Sequence, residues 1–293
     1  MRQFTAVVNP TAGGSTGAAA LLPPARLLRE AGAELKTACS DSLGHAQELA
    51  HRAGERGRVV LAVGGDGTGG GIGGALSGTG TVLGIVPAGR GTDFARALGL
   101  PTGPAELAAI LLGDEPRAVD TIEVESAIHD RTVVLGRVYA GVDAVANRHA
   151  NTARLLRGPA SYYVGGLRAV AGWRAAAYRV TVDGVVHERR GYTVVAANSG
   201  SYGSGRAIAP AAAVDDGLLD AVMIHDAPRR LFFALMNELR TGAHVHRPQV
   251  EIVRGEEVRI EADRPLRYGA DGEVAAALPV TARVRPGALR VLC

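Results

Sequence analysis

Three short apolar runs near the start of the chain each lead straight into a glycine-rich segment. FTAVV (residues 4–8) precedes NPTAGGSTG, VVLAV (59–63) precedes GGDGTGGG, and VLGIV (82–86) precedes PAGRGTDFAR. Helical patterns at 18–31 and 44–53 lie between them, with a further strand-like segment, ELKTA (34–38). Two more helical patterns follow at 92–98 and 105–112. Strands that are apolar throughout must bury both faces, and alternation with helices meets that need as a parallel sheet covered on each side. All strand carboxyl ends then share one edge, where ligands of such sheets bind.

After about residue 119 the texture changes. RTVVLGRVYAGV, YRVTVDGVV, RRGYTVVAAN, LLDAVMIH, VEIVRGEEVRIEA and VTARVRPGALRVL are strand-like, several with period-two alternation. Asp183-Gly184 is a hairpin turn signal. Two helical patterns, 160–173 and 229–240, interrupt this region. The expected architecture is a Rossmann-like α/β nucleotide-binding domain over 1–120, then an antiparallel β-rich domain over 121–285. Residues 286–293 are expected to return to the first. With 293 residues, each domain has enough chain for its own core.

Charge and cysteine content exclude some functions. The net charge of +3 is spread without a basic block, which speaks against nucleic acid as a partner. Cys39 and Cys293 form neither a disulfide framework nor a metal-ligand spacing, and they suit a reduced, cytoplasmic setting. The apolar run at the N-terminus is too short for a signal peptide, and no stretch nears the roughly 18 apolar residues of a membrane span. A soluble protein is expected, at most resting on a membrane surface.

Three glycine-rich loops on one sheet edge suit a polyphosphate, because glycine lets backbone N–H groups approach phosphate oxygens and a following helix N-terminus favours negative charge. A P-loop would need a lysine before Ser/Thr, and the single lysine, Lys36, lies in none of the loops. Gly65, Gly67 and Gly70 match the dinucleotide pattern GxGxxG, but after the third strand rather than the first. Asp66 then sits where a pyrophosphate would approach. An aspartate there repels phosphate unless a divalent cation lies between them, which points to a metal–nucleotide complex.

VVNPTAGG, VGGDGT, PAGRGTDFAR, AIAPAAAVDDGLLD and YGADGE occur in the order and approximate spacing of the diacylglycerol kinase catalytic family, and nearly the whole chain resembles its bacterial soluble lipid kinases. Sphingosine kinases are relatives. NAD kinases share GGDGT, but the GTDFAR and DDGLLD segments favour the lipid kinases. The resemblance implies an α/β domain and a β-sandwich enclosing a cleft, where ATP phosphorylates a lipid hydroxyl. Asn9, Pro10, Thr11, Ala12 and Gly13, together with Gly64, Gly65, Asp66, Gly67, Thr68, Gly69 and Gly70, would hold the nucleotide. Ser40 would contact it too, and Asp66 would belong to the network around the ATP-bound Mg²⁺. Asp271 and Glu273 would supply the general base, with Glu273 the favoured acceptor and Asp271 orienting or coupled to it. Asp216, with carbonyls near Ala213 and Leu218, would hold a second, structural divalent cation, and Asp220 would support that loop.

The chain departs from the family pattern after GGDGT and within GRGTDFAR. Gly70 and Gly71 stand where the family has an Asn-Glu pair. Arg90 and Thr92 replace a threonine and an asparagine, and the Arg90 guanidinium could pair with a phosphate oxygen. If a helix starts near Thr68, each interior glycine costs about 0.5–1 kcal/mol relative to alanine. Two other functions therefore stay open: phosphorylation of a non-lipid hydroxyl such as a specialised metabolite, and a catalytically weak lipid- or nucleotide-binding protein. Leu231, Phe232, Leu235 and Leu239 form a helical stripe that could face a bilayer but more readily packs in a core. Tyr162, Tyr163 and Trp173 fit packing in the same way. The histidines show no ligand spacing, and Ser15 and Ser199 lack a nucleophile motif.

Overall fold

The computed structural model describes residues 2–10, 17–89, 92–113, 115–126, 131–145, 172, 174–203, 205–228 and 230–293; at 232 and 273–275 it describes the backbone alone. The helix expected over 160–173, with Tyr162, Tyr163 and Trp173, lies outside the described residues. The chain divides into two units, Met1–Thr121 with Arg285–Cys293, and Ile122–Val284.

In the first unit β1 (Gln3–Val8), β2 (Glu34–Cys39), β3 (Val59–Gly64) and β4 (Val82–Pro87) pair in parallel in the order β4-β3-β1-β2. Helices α1 (Gly17–Glu30), α2 (Leu43–Glu55), α3 (Asp66–Leu76), α4 (Asp93–Ala97) and α5 (Pro104–Gly113) complete it. Phe4, Val8, Leu61 and Val63 pack with Leu21, Leu28 and Leu111 in one buried cluster. Edge strand β2 is half exposed and carries Glu34 and Lys36, charges that keep a sheet edge from pairing with another chain. Ser42 caps α2 by accepting a hydrogen bond from the His45 N–H at 3.2 Å.

The strand registers matter most for the site. Val8 lies opposite both Cys39 and Val63, and Gly64 lies opposite Pro87. Asn9, Ser40, Gly65 and Ala88 therefore leave the sheet at one level, on its carboxyl edge.

The second unit is antiparallel. Its strands are β6 (Thr132–Val134), β7 (Arg137–Gly141), β8 (Ala176–Val182), β9 (Val185–Ala197), β10 (Leu219–His225), β11 (Val250–Gly255), β12 (Glu257–Ala262), β13 (Arg267–Ala270) and β14 (Glu273–Ala277). Strands β5 (Arg117–Ser126) and β15 (Val280–Val291) each contain one of the two division points. Successive residues of a strand face opposite sides. On β9, Val194 and Ala196 join one buried cluster, while Val195 and Ala197 join another with Tyr139, Ile208, Val222 and Leu239. The sheet is thus covered on both faces here. Helix α6 (Leu231–Glu238) contributes to the second cluster through Met236.

Asp183 and Gly184 make the expected hairpin turn, with φ of 46° and 83°. The strand-like run VEIVRGEEVRIEA forms two strands. It breaks at Glu256, so that β11 pairs with β10 while β12 pairs with β8 and β15. Two local facts account for the break. A Cβ at Gly255 would fall 2.4 Å from Val182 Cγ1, and the Asp183 carboxylate accepts the N–H groups of both Glu256 and Glu257.

Candidate active site

On the first unit the loop ends are tied to one another by side chains. The Asn9 amide donates to Thr68 Oγ1 at 3.1 Å, and its backbone N–H donates to the Val63 carbonyl. Ser40 is 5% exposed and sends both its N–H and its hydroxyl to the Val8 carbonyl, so it holds two strand ends together. Gly64 has a steric reason, since a Cβ there would lie 2.6 Å from the Thr68 side chain. Helix α3 then starts at Asp66, two residues earlier than Thr68, with Gly65 as a cap that offers no side chain. The Thr68 and Gly69 N–H groups close onto the Gly65 carbonyl, and the helix start favours an anion beside it.

Asp66 has a second occupation that its sequence position did not suggest. Its two oxygens accept the backbone N–H groups of Asp93 and Phe94 at 3.0 and 3.1 Å, which caps α4 from a distance. Thr92, at the cap position itself, makes no such bond. Replacing Asp66 by alanine is expected to cost about 1–2 kcal/mol through this cap alone. Chemical denaturation without nucleotide measures that loss, and an unchanged midpoint would remove the capping role.

Gly71, one of the departures, is filled from outside the helix. A Cβ there would sit 2.3 Å from Leu43 Cδ1, and Gln47 Nε2 donates to the Gly71 carbonyl at 3.1 Å. Gly71 thus lies against α2, where any side chain would have to displace the exposed Leu43. Gly67 and Gly69 face open space, and Pro10 is exposed. Thr11, Ala12, Gly13 and Arg90 lie outside the described residues.

On the second unit Asp271 and Gly272 turn the chain from β13 to β14 with φ of 42° and 92°, so that Glu273 pairs with Ala270. The Asp271 carboxylate is an anchor. One oxygen accepts the Leu135 N–H at 2.7 Å; the other accepts the N–H groups of Gly136 and Arg137, each at 2.9 Å. Three backbone donors thus fix the Asp271 carboxylate in the turn that carries Glu273. The Glu273 side chain lies outside the described residues.

Gly136 is a residue the motif reading missed. A Cβ there would fall 2.8 Å from Asp271 Oδ1 and 3.4 Å from Ser199 Oγ, and its carbonyl accepts from the Asn198 and Ser199 N–H groups. The available signal was a glycine interrupting the strand-like run VVLGRVY, which marks close backbone approach. Behind it, the Arg137 guanidinium lies 5.1 Å from the centre of the Tyr202 ring. Tyr202 and Thr193 hydrogen-bond to Asp143, whose carboxyl is pushed up by loss of hydration.

The loop expected to hold a structural cation is occupied by protein groups. Asp216 accepts the Leu218 N–H at 3.1 Å and pairs with the Arg254 guanidinium. Arg254 Nε also approaches Asp220 Oδ1 at 3.5 Å. Ala213 is half-buried. Among the described residues no three His, Cys, Asp or Glu side chains gather as a metal site. The donor set of Ala213, Asp216 and Leu218 therefore does not fit a divalent cation: its one carboxylate already faces a cationic side chain.

The helical stripe of α6 and its cap residue Leu239 is partly buried. Leu239 is 5% exposed and Met236 packs in the core, whereas Phe233 is exposed. Leu231 and Leu235 are half-buried, and the Phe232 side chain lies outside the described residues. Among the described residues no helix is long and apolar enough to cross a membrane. His244 is fully buried, with Nε2 2.9 Å from the Ile208 carbonyl, a packing role.

Comparison with known proteins joins these two halves. Residues 3–124 match the family model described as the diacylglycerol kinase catalytic domain, and residues 136–293 match the YegS C-terminal NAD kinase beta sandwich-like domain. A protein of Mycobacterium tuberculosis named "Diacylglycerol kinase" is 32% identical over 295 residues, covering 99% of this chain and 94% of its own. One of Chromohalobacter salexigens named "Probable lipid kinase YegS-like" is 33% identical over 289 residues, covering 93% and 89%. A crystal structure of a diacylglycerol kinase from Bacillus anthracis str. Sterne shares the fold, with a TM-score of 0.76 at 21% identity over 99% of this chain and 96% of that one.

Proposed function

We propose, because this chain belongs to the diacylglycerol kinase catalytic family and is a lipid kinase, that it transfers the terminal phosphoryl group of ATP to the hydroxyl of diacylglycerol or a closely related lipid. The observation that carries the ATP half is the side-chain-free start of α3 at Gly65, level with the ends of β1 and β4. Support for the lipid half comes from what the relatives are named.

In this reading Asn9 and the N–H groups at Gly65 to Gly67 hold the phosphates, with Thr68 positioned by Asn9. Thr11, Ala12, Gly13 and Arg90 complete the phosphate contacts. Magnesium carried by ATP supplies charge neutralisation at the phosphates. Asp66 would meet it through water while its oxygens hold the Asp93 and Phe94 N–H groups. On the acceptor side, the Asp271 anchor fixes the turn and Glu273 takes the proton of the attacking hydroxyl. Phosphoryl transfer asks little else of the protein than alignment and electrostatic support. A kinase acting on lipid would meet its substrate at a membrane surface.

The test is incubation with Mg²⁺, labelled ATP, and separate acceptors: diacylglycerol, monoacylglycerol, sphingoid bases and polar alcohols. Label in phosphatidate is the expected result. Label only in a polar alcohol phosphate, or in no acceptor despite nucleotide binding, would overturn the reading.

A further inference from the structure

We infer that Arg254 takes the place of a structural divalent cation in the VDDGLLD loop of the second unit, so that the loop is held by an internal cation. The strand register carries the argument. Asp220 on β10 lies directly opposite Arg254 on β11, flanked by Leu219 opposite Gly255 and Ala221 opposite Val253. Directly opposed residues have Cβ atoms about 4.5–5.5 Å apart, so the sheet itself delivers the guanidinium to this loop. The backbone position of Arg254 is set by the strand pairing, although its side chain is 43% exposed.

The chemistry matches the position. Asp220 is 2% exposed, and a buried carboxylate is strongly unfavourable without a compensating charge. Arg254 offers Nε towards Asp220 and a terminal nitrogen to Asp216, bridging two carboxylates with one planar cation. The other Asp216 oxygen closes the loop onto the Leu218 N–H, with Gly217 at φ 73°. A divalent ion requires several oxygens directed at one point. Here one oxygen of Asp216 and one of Asp220 are directed at a side chain that carries a permanent positive charge. Substitution of a diffusible ion by a covalently attached one makes the loop independent of ambient calcium or magnesium.

The inference does not depend on the kinase reading, and it is tested without ATP. Nucleotide-free protein is dialysed against chelator, analysed for bound metal, and melted in EDTA, in millimolar Mg²⁺ and in millimolar Ca²⁺. The wild-type chain is expected to carry no divalent metal and to melt at one temperature in all three. Arg254→Ala removes the internal cation and leaves Asp216 and Asp220 facing each other's charge. It is expected to melt lower in EDTA and to regain roughly 5–10 °C at a Ca²⁺ concentration about 100-fold above Kd. One equivalent of tightly held divalent metal in the wild type, or a melting temperature that rises with Ca²⁺ there, overturns the inference. So does an Arg254→Ala protein indifferent to both ions. Where that variant does not fold, the wild-type metal content and melts decide alone.

Discussion

Glu273→Gln is expected to lower kcat by about 10²–10⁴-fold, the range that general acid–base catalysis contributes. The amide keeps the size and shape of the side chain but cannot take the proton from an attacking hydroxyl. KM for ATP should stay within a few-fold, because the nucleotide contacts proposed here belong to the first unit. Melting temperature should change little, since the turn geometry is set by Asp271 and Gly272. The pattern to look for is a loss in kcat with stability retained. If Glu273→Gln keeps kcat within about threefold, well short of the range for general-base catalysis, the base lies elsewhere.

That expectation rests on an assignment the sequence left undecided. YGADGE offers two carboxylates in a tight turn, and either reads as a base. What the structure adds for Asp271 is a set of three backbone donors more than a hundred residues away, at Leu135, Gly136 and Arg137. No local pattern announces such a contact. The parallel sheet of the first unit was legible for the opposite reason. Runs such as VVLAV are short, apolar and flanked by turn signals, so local information suffices to place them.

Other differences share that cause. Asp66 reads as part of a phosphate loop because its neighbours are glycines, yet its carboxylate caps α4, whose first residues lie 27 and 28 positions on. Gly71 reads as a lost polar contact, and only the packing of α2 brings Leu43 to its side-chain space. VDDGLLD reads as an oxygen cage for a cation, and only the pairing of β10 with β11 reveals Arg254 in it. Glycines and acids carry much of the motif information, and those are the residues whose partners are set by tertiary approach.

The largest stability effect is expected at Asp271. Removing its carboxylate in Asp271→Ala leaves three N–H groups without their acceptor, at positions where Leu135 is fully buried and Gly136 is buried. An unsatisfied buried donor costs about 1–3 kcal/mol, with water relieving part of the loss at the less buried end. A total of about 3 kcal/mol is therefore reasonable, which for a unit of this size lowers the melting temperature by roughly 6–12 °C. Asp271→Asn should fall between, because its carbonyl can still serve Gly136 and Arg137 while its NH₂ faces the Leu135 donor. Gly136→Ala approaches the same contact from the other side: its methyl would press on Asp271 Oδ1. Overpacking of this kind costs typically about 1–3 kcal/mol. All three variants should also lose kcat, since each loosens the turn that presents Glu273. The ranking separates anchor from base. A base at Asp271 would give Asp271→Asn with wild-type stability and severely reduced kcat, whereas an anchor gives stability losses graded as alanine, then asparagine, with catalysis falling alongside them.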